Sequence, residues 1–377
     1  MKASSIILLV LILLAALPLG GGLIRGFADG FFSFPPLVEH QPQHAPFSAP
    51  VFIIFAVLSF LAALLFLFPH RFGFKRKPVA PVPAKTPFPV WGWLGLALTL
   101  ASWICAWGQF DFLGIARLHT FFPLWLGFIF TMDGMAFRRT GSSLFSKHRP
   151  TFLMLFPVSA LSWWYFELLN RFVQNWWYPD RMDFGPAHYI VYSSLCFSTV
   201  LPAIVEVYEW LKSFPAMSVR YSCGPRVRLP PRSMVAISAV LLILTPLFPD
   251  PLFFATWLAP LGLLGATLSI SGIRSPFSSI REGDWTAAIN LGLAALICGF
   301  FWEMWNFCST PCWEYSIPYV NRGHLFAMPA VGYSGYLPFG PVCACFWLAW
   351  TALLPERIRI RLGGLAFRPE PAPEASP

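Results

Sequence analysis

The fold predicted is an all-α polytopic membrane protein, and three observations predict it. The 377 residues are 56% hydrophobic and 11% charged, with a mean hydropathy of +0.62, whereas soluble domains carry about 25% charged residues. Apolar runs of about twenty residues, each able to cross a hydrocarbon core of ~30 Å as a helix, recur along the whole length. The basic residues gather in short segments between those runs, where they set orientation. The net charge of +9 therefore belongs to the membrane and gives no reason to expect nucleic acid. The partner it implies is the lipid bilayer.

Met1-Lys2 and the run Ile6 to Leu17 share marks with a signal peptide. No small-x-small cleavage site follows and apolar character continues through Leu23-Ile24, so an uncleaved first span is expected. Arg25 to Pro50 is Pro- and Phe-rich; its His40 and His44 have helix metal-pair spacing, but the prolines argue against a helix there. Phe52 to Phe68 makes a second span, and a basic, Pro-rich connector runs from His70 to Lys85. Four further spans are expected at Val90 to Trp107, Thr120 to Ala136, Thr151 to Leu169 and His188 to Leu211. Another four are expected at Met234 to Leu247, Leu252 to Ile273, Ala287 to Trp305 and Ala330 to Leu353. The reading is about ten transmembrane helices: an N-terminal two-helix region (1–88), two four-helix repeats (89–230 and 231–355) and a disordered cytoplasmic tail (356–377).

The repeats rest on a constant shift that lays the stretch from Trp163 to Pro202 on that from Gly299 to Pro338. Glu167 falls on Glu303, Asn170 on Asn306, Trp177 on Trp313, His188 on His324, Ser198 on Ser334 and Leu201-Pro202 on Leu337-Pro338. Scarce polar residues among the matches carry the inference, since the chain has only seven His. An even number of spans per copy makes the repeats parallel, with both polar sets at the outer end of the bundle. Arg71 to Lys85, Arg138 to Arg149, Lys212 to Arg232, Arg274 with Arg281, and Arg357 to Arg361 then all face the cytoplasm. An inner-membrane protein with both termini cytoplasmic is expected.

Glu167 and Glu303 stand near the outer ends of apolar helices, with Asn170 and Asn306 one turn on, on the same face. A carboxylate at that depth faces the bundle interior or a wet cavity by default. Two facing carboxylates are one way to make a general acid and a general base from like residues. His188 and His324 open the returning helices and are read as polarising or proton-relaying groups. The Glu-to-His spacing is no ligand motif, so a metal is not invoked. Trp163, Trp164, Trp176, Trp302 and Trp305 fit an aromatic belt, while Trp177 and Trp313 are candidate walls of a lipid groove. Tyr333 and Ser334 lie in the Gly332 to Gly340 segment, read as a broken helix whose backbone meets a ligand. Glu206, Glu209 and Lys212 read as an interfacial charge cluster. Cys105, Cys196, Cys298, Cys343 and Cys345 lie in or beside apolar runs, whereas Cys308 and Cys312 are close enough on an outer loop to pair in an oxidising compartment.

No Walker loop, Gly-x-Ser-x-Gly elbow, His-Glu-x2-His or Asp-rich prenyl-diphosphate signature is present. The leading reading is an inner-membrane protein whose outward-facing site between the repeats handles a lipid-like or isoprenoid substrate, whether it is an enzyme being left open; as an enzyme it works by acid/base chemistry. In it Glu303 and Glu167 are catalytic, His324 and His188 assist, and Asn306, Asn170, Trp313, Trp177, Tyr333 and Ser334 bind substrate, with the second copy dominant. Two other classes fit the same residues: a proton-coupled transporter or flippase, and a non-catalytic scaffold or assembly protein in which each Glu only braces its loop.

Overall fold

The structure, a computed structural model, describes residues 3–27, 34–35, 41–81, 85–179 and 184–362. His40, Asp180 and the tail beyond 362 lie outside the described residues. The helices are α1 (Ala3–Arg25), α2 (Ala49–Leu67), α3 (Val90–Gly108), α4 (Phe121–Thr140), α5 (Leu144–Lys147), α6 (Arg149–Val173) and α7 (Pro186–Ser198). They continue with α8 (Val200–Lys212), α9 (Pro215–Val219), α10 (Pro231–Leu247), α11 (Ala255–Ile270), α12 (Thr286–Phe307), α13 (Tyr336–Ala352) and α14 (Glu356–Arg361). Among the described residues, four two-residue strands, β1 (Trp176–Trp177), β2 (Glu314–Tyr315), β3 (His324–Leu325) and β4 (Met328–Pro329), pair as β1–β2 and β3–β4.

Proline writes many of the boundaries. It opens α2, α6, α7, α9 and α10 in the first turn, where its missing N–H costs nothing. Among the described residues, six helical segments are long and apolar enough to cross a membrane: α1, α2, α3, α6, α7 with α8, and α12. A seventh appears if the 3₁₀ segment Asp111–His119, bent by 65° from α4, is counted with it as one span. Each expected span is helical, but α10, α11 and α13 have 17, 16 and 17 residues. The chain is a multi-pass, all-α membrane protein, and among the described residues six or seven of the roughly ten expected spans are long and apolar enough by these measures to cross.

Large apolar side chains stay exposed along the outside of the helices, among them Leu9, Ile12, Ile53, Ile54, Leu94 and Ile104. Such a surface is at home against acyl chains rather than water. Inside, α3 packs on α4, α10 on α11 and α12 on α13, while α8 lies against α4 and α12. A Cβ on Gly127 would meet the Thr99 backbone nitrogen at 2.6 Å, so glycine sets how closely α3 and α4 approach. α1 packs against α10 and α11; α2 buries no residue and runs beside the 3₁₀ turn Ala330–Gly335.

Two buried acids lie toward the other end of the bundle from the Glu167 level. Asp133 accepts from Trp91 Nε1 and from the Phe145 backbone N–H, each at 2.8 Å, which ties α3, α4 and α5 together. Glu206 departs from the sequence reading. It is 0% exposed and neither carboxylate oxygen has a hydrogen-bond partner, whereas Glu209 does bridge to Lys212 at 3.1 Å. One turn of helix separates the interfacial acid from the buried one, and hydropathy alone does not distinguish them.

Candidate functional site

Each Asn at the end of its helix grips the backbone of a tryptophan in the loop that follows. Asn170 Nδ2 donates to the Trp176 carbonyl at 2.7 Å and its Oδ1 accepts from Trp176 N–H at 3.3 Å. Asn306 Nδ2 donates to the Trp313 carbonyl at 2.7 Å and its Oδ1 accepts from Trp313 N–H at 2.8 Å. A primary amide supplies both donor and acceptor and so mimics a β-ladder partner. The chain thus turns back sharply and lays β1 against β2, antiparallel, with Trp176 opposite Tyr315 and Trp177 opposite Glu314.

This corrects the constant-shift register. Trp176, rather than Trp177, occupies the place of Trp313, because the second loop has one residue more between Asn and Trp. Trp177 faces Glu314 at the ribbon's centre, and its buried indole N–H is unpartnered. With Trp176 set beside Trp313, Trp177 falls on Glu314 and Tyr178 on Tyr315, so the Trp177–Glu314 pair maps onto itself.

The carboxylates sit beneath that ribbon. Glu167 Oε1 accepts from Tyr178 OH at 2.7 Å and from Trp163 Nε1 and Trp176 Nε1 at 3.1 Å each. Glu303 Oε1 accepts from Tyr315 OH at 2.7 Å and Tyr336 OH at 2.6 Å, and Trp313 Nε1 reaches Tyr315 OH at 2.9 Å. Four residues before Glu167 stands Trp163; four before Glu303 stands Gly299. A Cβ there would collide with the Tyr336 ring. The bare glycine therefore lets Tyr336 in from α13 to donate to Glu303, as Trp163 donates to Glu167. Glu303 keeps one difference: its Oε2 is buried with no partner.

Burial pushes the Tyr178 and Tyr315 hydroxyls well up, and the neighbouring Glu167 or Glu303 adds to the effect. Both remain neutral donors across the ordinary pH range. Next to the two carboxylates lies a cavity of about 460 Å³, within the size range of small-molecule sites. Trp163 and Trp176 line it from one half, Trp302, Trp305, Trp313 and Tyr336 from the other, with Phe55 and Leu58 of α2 at one side and Tyr189 and Tyr192 of α7 at another.

Of the residues singled out in the sequence, Glu167, Asn170, Glu303, Asn306 and Trp313 come together around the ribbon. Ser334 lines the cavity, although its hydroxyl is spent on the Val331 carbonyl. The histidines do not join the carboxylates. His188 stacks on His119, with their Nε2 atoms 2.8 Å apart, and exposed His324 bonds Asn321. Tyr333 donates to the Leu325 carbonyl. The segment around them is broken as expected, with a 3₁₀ turn over Ala330–Gly335 before α13.

Several participants were missed. Tyr178 and Tyr336 carried no role, and Trp163 and Trp176 were assigned to the belt. Trp163 had a legible signal, since it lies one turn before Glu167 on the same face. His44 was weighed only for metal. It bridges Asp250 Oδ1 at 2.7 Å and the Gln174 carbonyl at 3.1 Å, pinning the N-terminal loop over this end of the bundle. No disulfide joins Cys308 to Cys312.

No protein-family model, curated protein or solved structure matches this chain.

Proposed function

We propose that the cavity beneath the ribbon binds a lipid-like or isoprenoid molecule and that Glu303 performs acid/base chemistry on it, in an enzyme of the inner membrane. The observation that carries this reading is a fully buried Glu303 with an unpartnered Oε2, whose Oε1 is bonded by Tyr315 and Tyr336, two residues in the wall of an aromatic cavity. A buried carboxylate oxygen left without a donor is costly, and a ligand's polar group is a natural partner for it. Glu167, ringed by three donors, is the supporting half. Parallel duplication accounts for the twin Asn grips and the self-matching ribbon, and later divergence accounts for the Trp163-to-Gly299 exchange.

Comparing lipid extracts of cells with and without the protein supplies the assay; a lipid product that depends on the protein is expected. Glu303→Gln should then lower its formation by about 10²–10⁴-fold, the usual worth of a general acid or base, with protein level unchanged. Glu167→Gln should cost less. The reverse order would place the chemistry in the first half. A bracing role has its own support, because both Oε1 atoms already hold the ribbon. If product forms normally with both Gln variants, bracing is the whole role. Altered leaflet distribution without new chemistry would favour a flippase.

A further inference from the structure

The polar character of the cavity wall says what kind of head group it accepts. Among the described residues that line it there is no Lys, Arg, His, Asp or Glu. What the wall does offer is neutral and incompletely paired. Trp305, 3% exposed, has a buried indole N–H with no acceptor, and Asn175, 5% exposed, has a buried Oδ1 with no donor. The same Asn175 spends its Nδ2 on the Phe253 carbonyl at 3.2 Å, so its amide is fixed with the acceptor left over.

We infer that the occupant is an isoprenoid or long-chain alcohol, not the corresponding phosphate or diphosphate; this rests on the cavity reading above. A phosphate placed against this wall would be a buried anion with no counter-charge, which is strongly disfavoured. A hydroxyl both donates and accepts, and so answers an orphaned Asn oxygen and an orphaned indole N–H alike. The tail is matched by aromatic walls. At the ~30 Å³ that a water-sized unit occupies in a liquid, the cavity holds on the order of fifteen non-hydrogen atoms, the scale of a three-unit isoprenoid.

The test is equilibrium binding of radiolabelled farnesol to the purified full-length protein in nanodiscs, with farnesyl phosphate, farnesylamine and farnesene as unlabelled competitors. Saturable farnesol binding is expected, with each competitor at least ~10-fold weaker than farnesol, a 1.4 kcal/mol margin. Trp305→Phe, which keeps the ring and removes only the N–H, should weaken farnesol by about 3–10-fold while leaving farnesene unchanged. A phosphate or amine that competes as well as farnesol overturns the inference and leaves the cavity reading standing. So does a hydrocarbon equal to the alcohol together with a silent Trp305→Phe. If none of the four binds saturably, the lipid-cavity reading falls, and this inference with it.

Discussion

At the scale of single residues, the two asparagines do more for this site than the histidines that share their neighbourhood in the sequence. Each holds a loop by a paired donor and acceptor that only an amide provides. Asn306→Ala should therefore lower stability by about 1–3 kcal/mol, since it strands both the Trp313 carbonyl and its N–H. Asn306→Asp should be at least as harmful, because a carboxylate keeps the acceptor, loses the donor and turns a charge toward a carbonyl. Thermal unfolding in detergent measures both, and an Asp variant as stable as wild type would contradict the two-point grip. The tyrosines add a pH dependence. Their folded-state pKa values are raised above the ordinary value near 10, so the folded state holds protons that the unfolded state releases. Their stabilising contribution is complete below about pH 10 and is lost as pH rises beyond it. Tyr178→Phe and Tyr315→Phe should each make stability fall less steeply between neutral and strongly alkaline pH.

At the scale of elements, the sequence was informative about which segments are helices and much less so about which helical faces are buried. Every expected span is helical, because apolar runs broken by proline and basic loops leave few alternatives. The loop register was not legible: a single extra residue between Asn306 and Trp313 moved the matched tryptophan from Trp177 to Trp176, and a gapless shift cannot register an insertion. Tyr336 was invisible for a related reason, since its role depends on an α12 glycine that lets a side chain from another helix in. Gly299→Ala tests that dependence. It should push the Tyr336 ring off Glu303 and reduce activity, while Ala in place of Trp163 should act through Glu167 and cost less. Glu206 on α8 makes the opposite kind of prediction. A fully buried acid with neither oxygen hydrogen-bonded costs about 1–3 kcal/mol, so Glu206→Met should raise the melting temperature, whereas Glu209→Ala should barely change it. A fall in melting temperature for Glu206→Met would mean that something bound in the membrane satisfies that carboxylate.

For the whole molecule, the structure collects at one end the basic loops that charge counting had assigned to one side. Arg139 Nε reaches Ser213 Oγ at 2.7 Å and its guanidinium stacks 3.5 Å from the Phe214 ring, which joins the α4–α5 turn to the loop after α8. Lys75 N–H donates to the Cys223 carbonyl, Arg220 donates to the Phe66 and Leu67 carbonyls, and Gly224 N–H donates to Gly283. The connector after α2 and the loop before α12 are thereby brought to the same end. At the opposite end Ser316 Oγ bonds the Pro42 carbonyl, Ser48 N–H bonds the Tyr319 carbonyl and His44 bonds Asp250, so the N-terminal loop, the ribbon and the α10–α11 turn are tied together at the ribbon end. Positive charge is retained on the cytoplasmic side, so the basic end should face the cytoplasm and the ribbon should face outward. A Cys308→Ser background carrying Arg322→Cys, at an exposed site on the ribbon end, should react with a membrane-impermeant maleimide in intact cells. Arg226→Cys, exposed at the basic end, should react only after the membrane is opened. Labelling of Arg226→Cys from outside with Arg322→Cys protected would invert the molecule, turn the cavity toward the cytoplasm and require its ligand to arrive from that side. Labelling of both from outside would break the link between charge segregation and topology on which the outward-facing site depends.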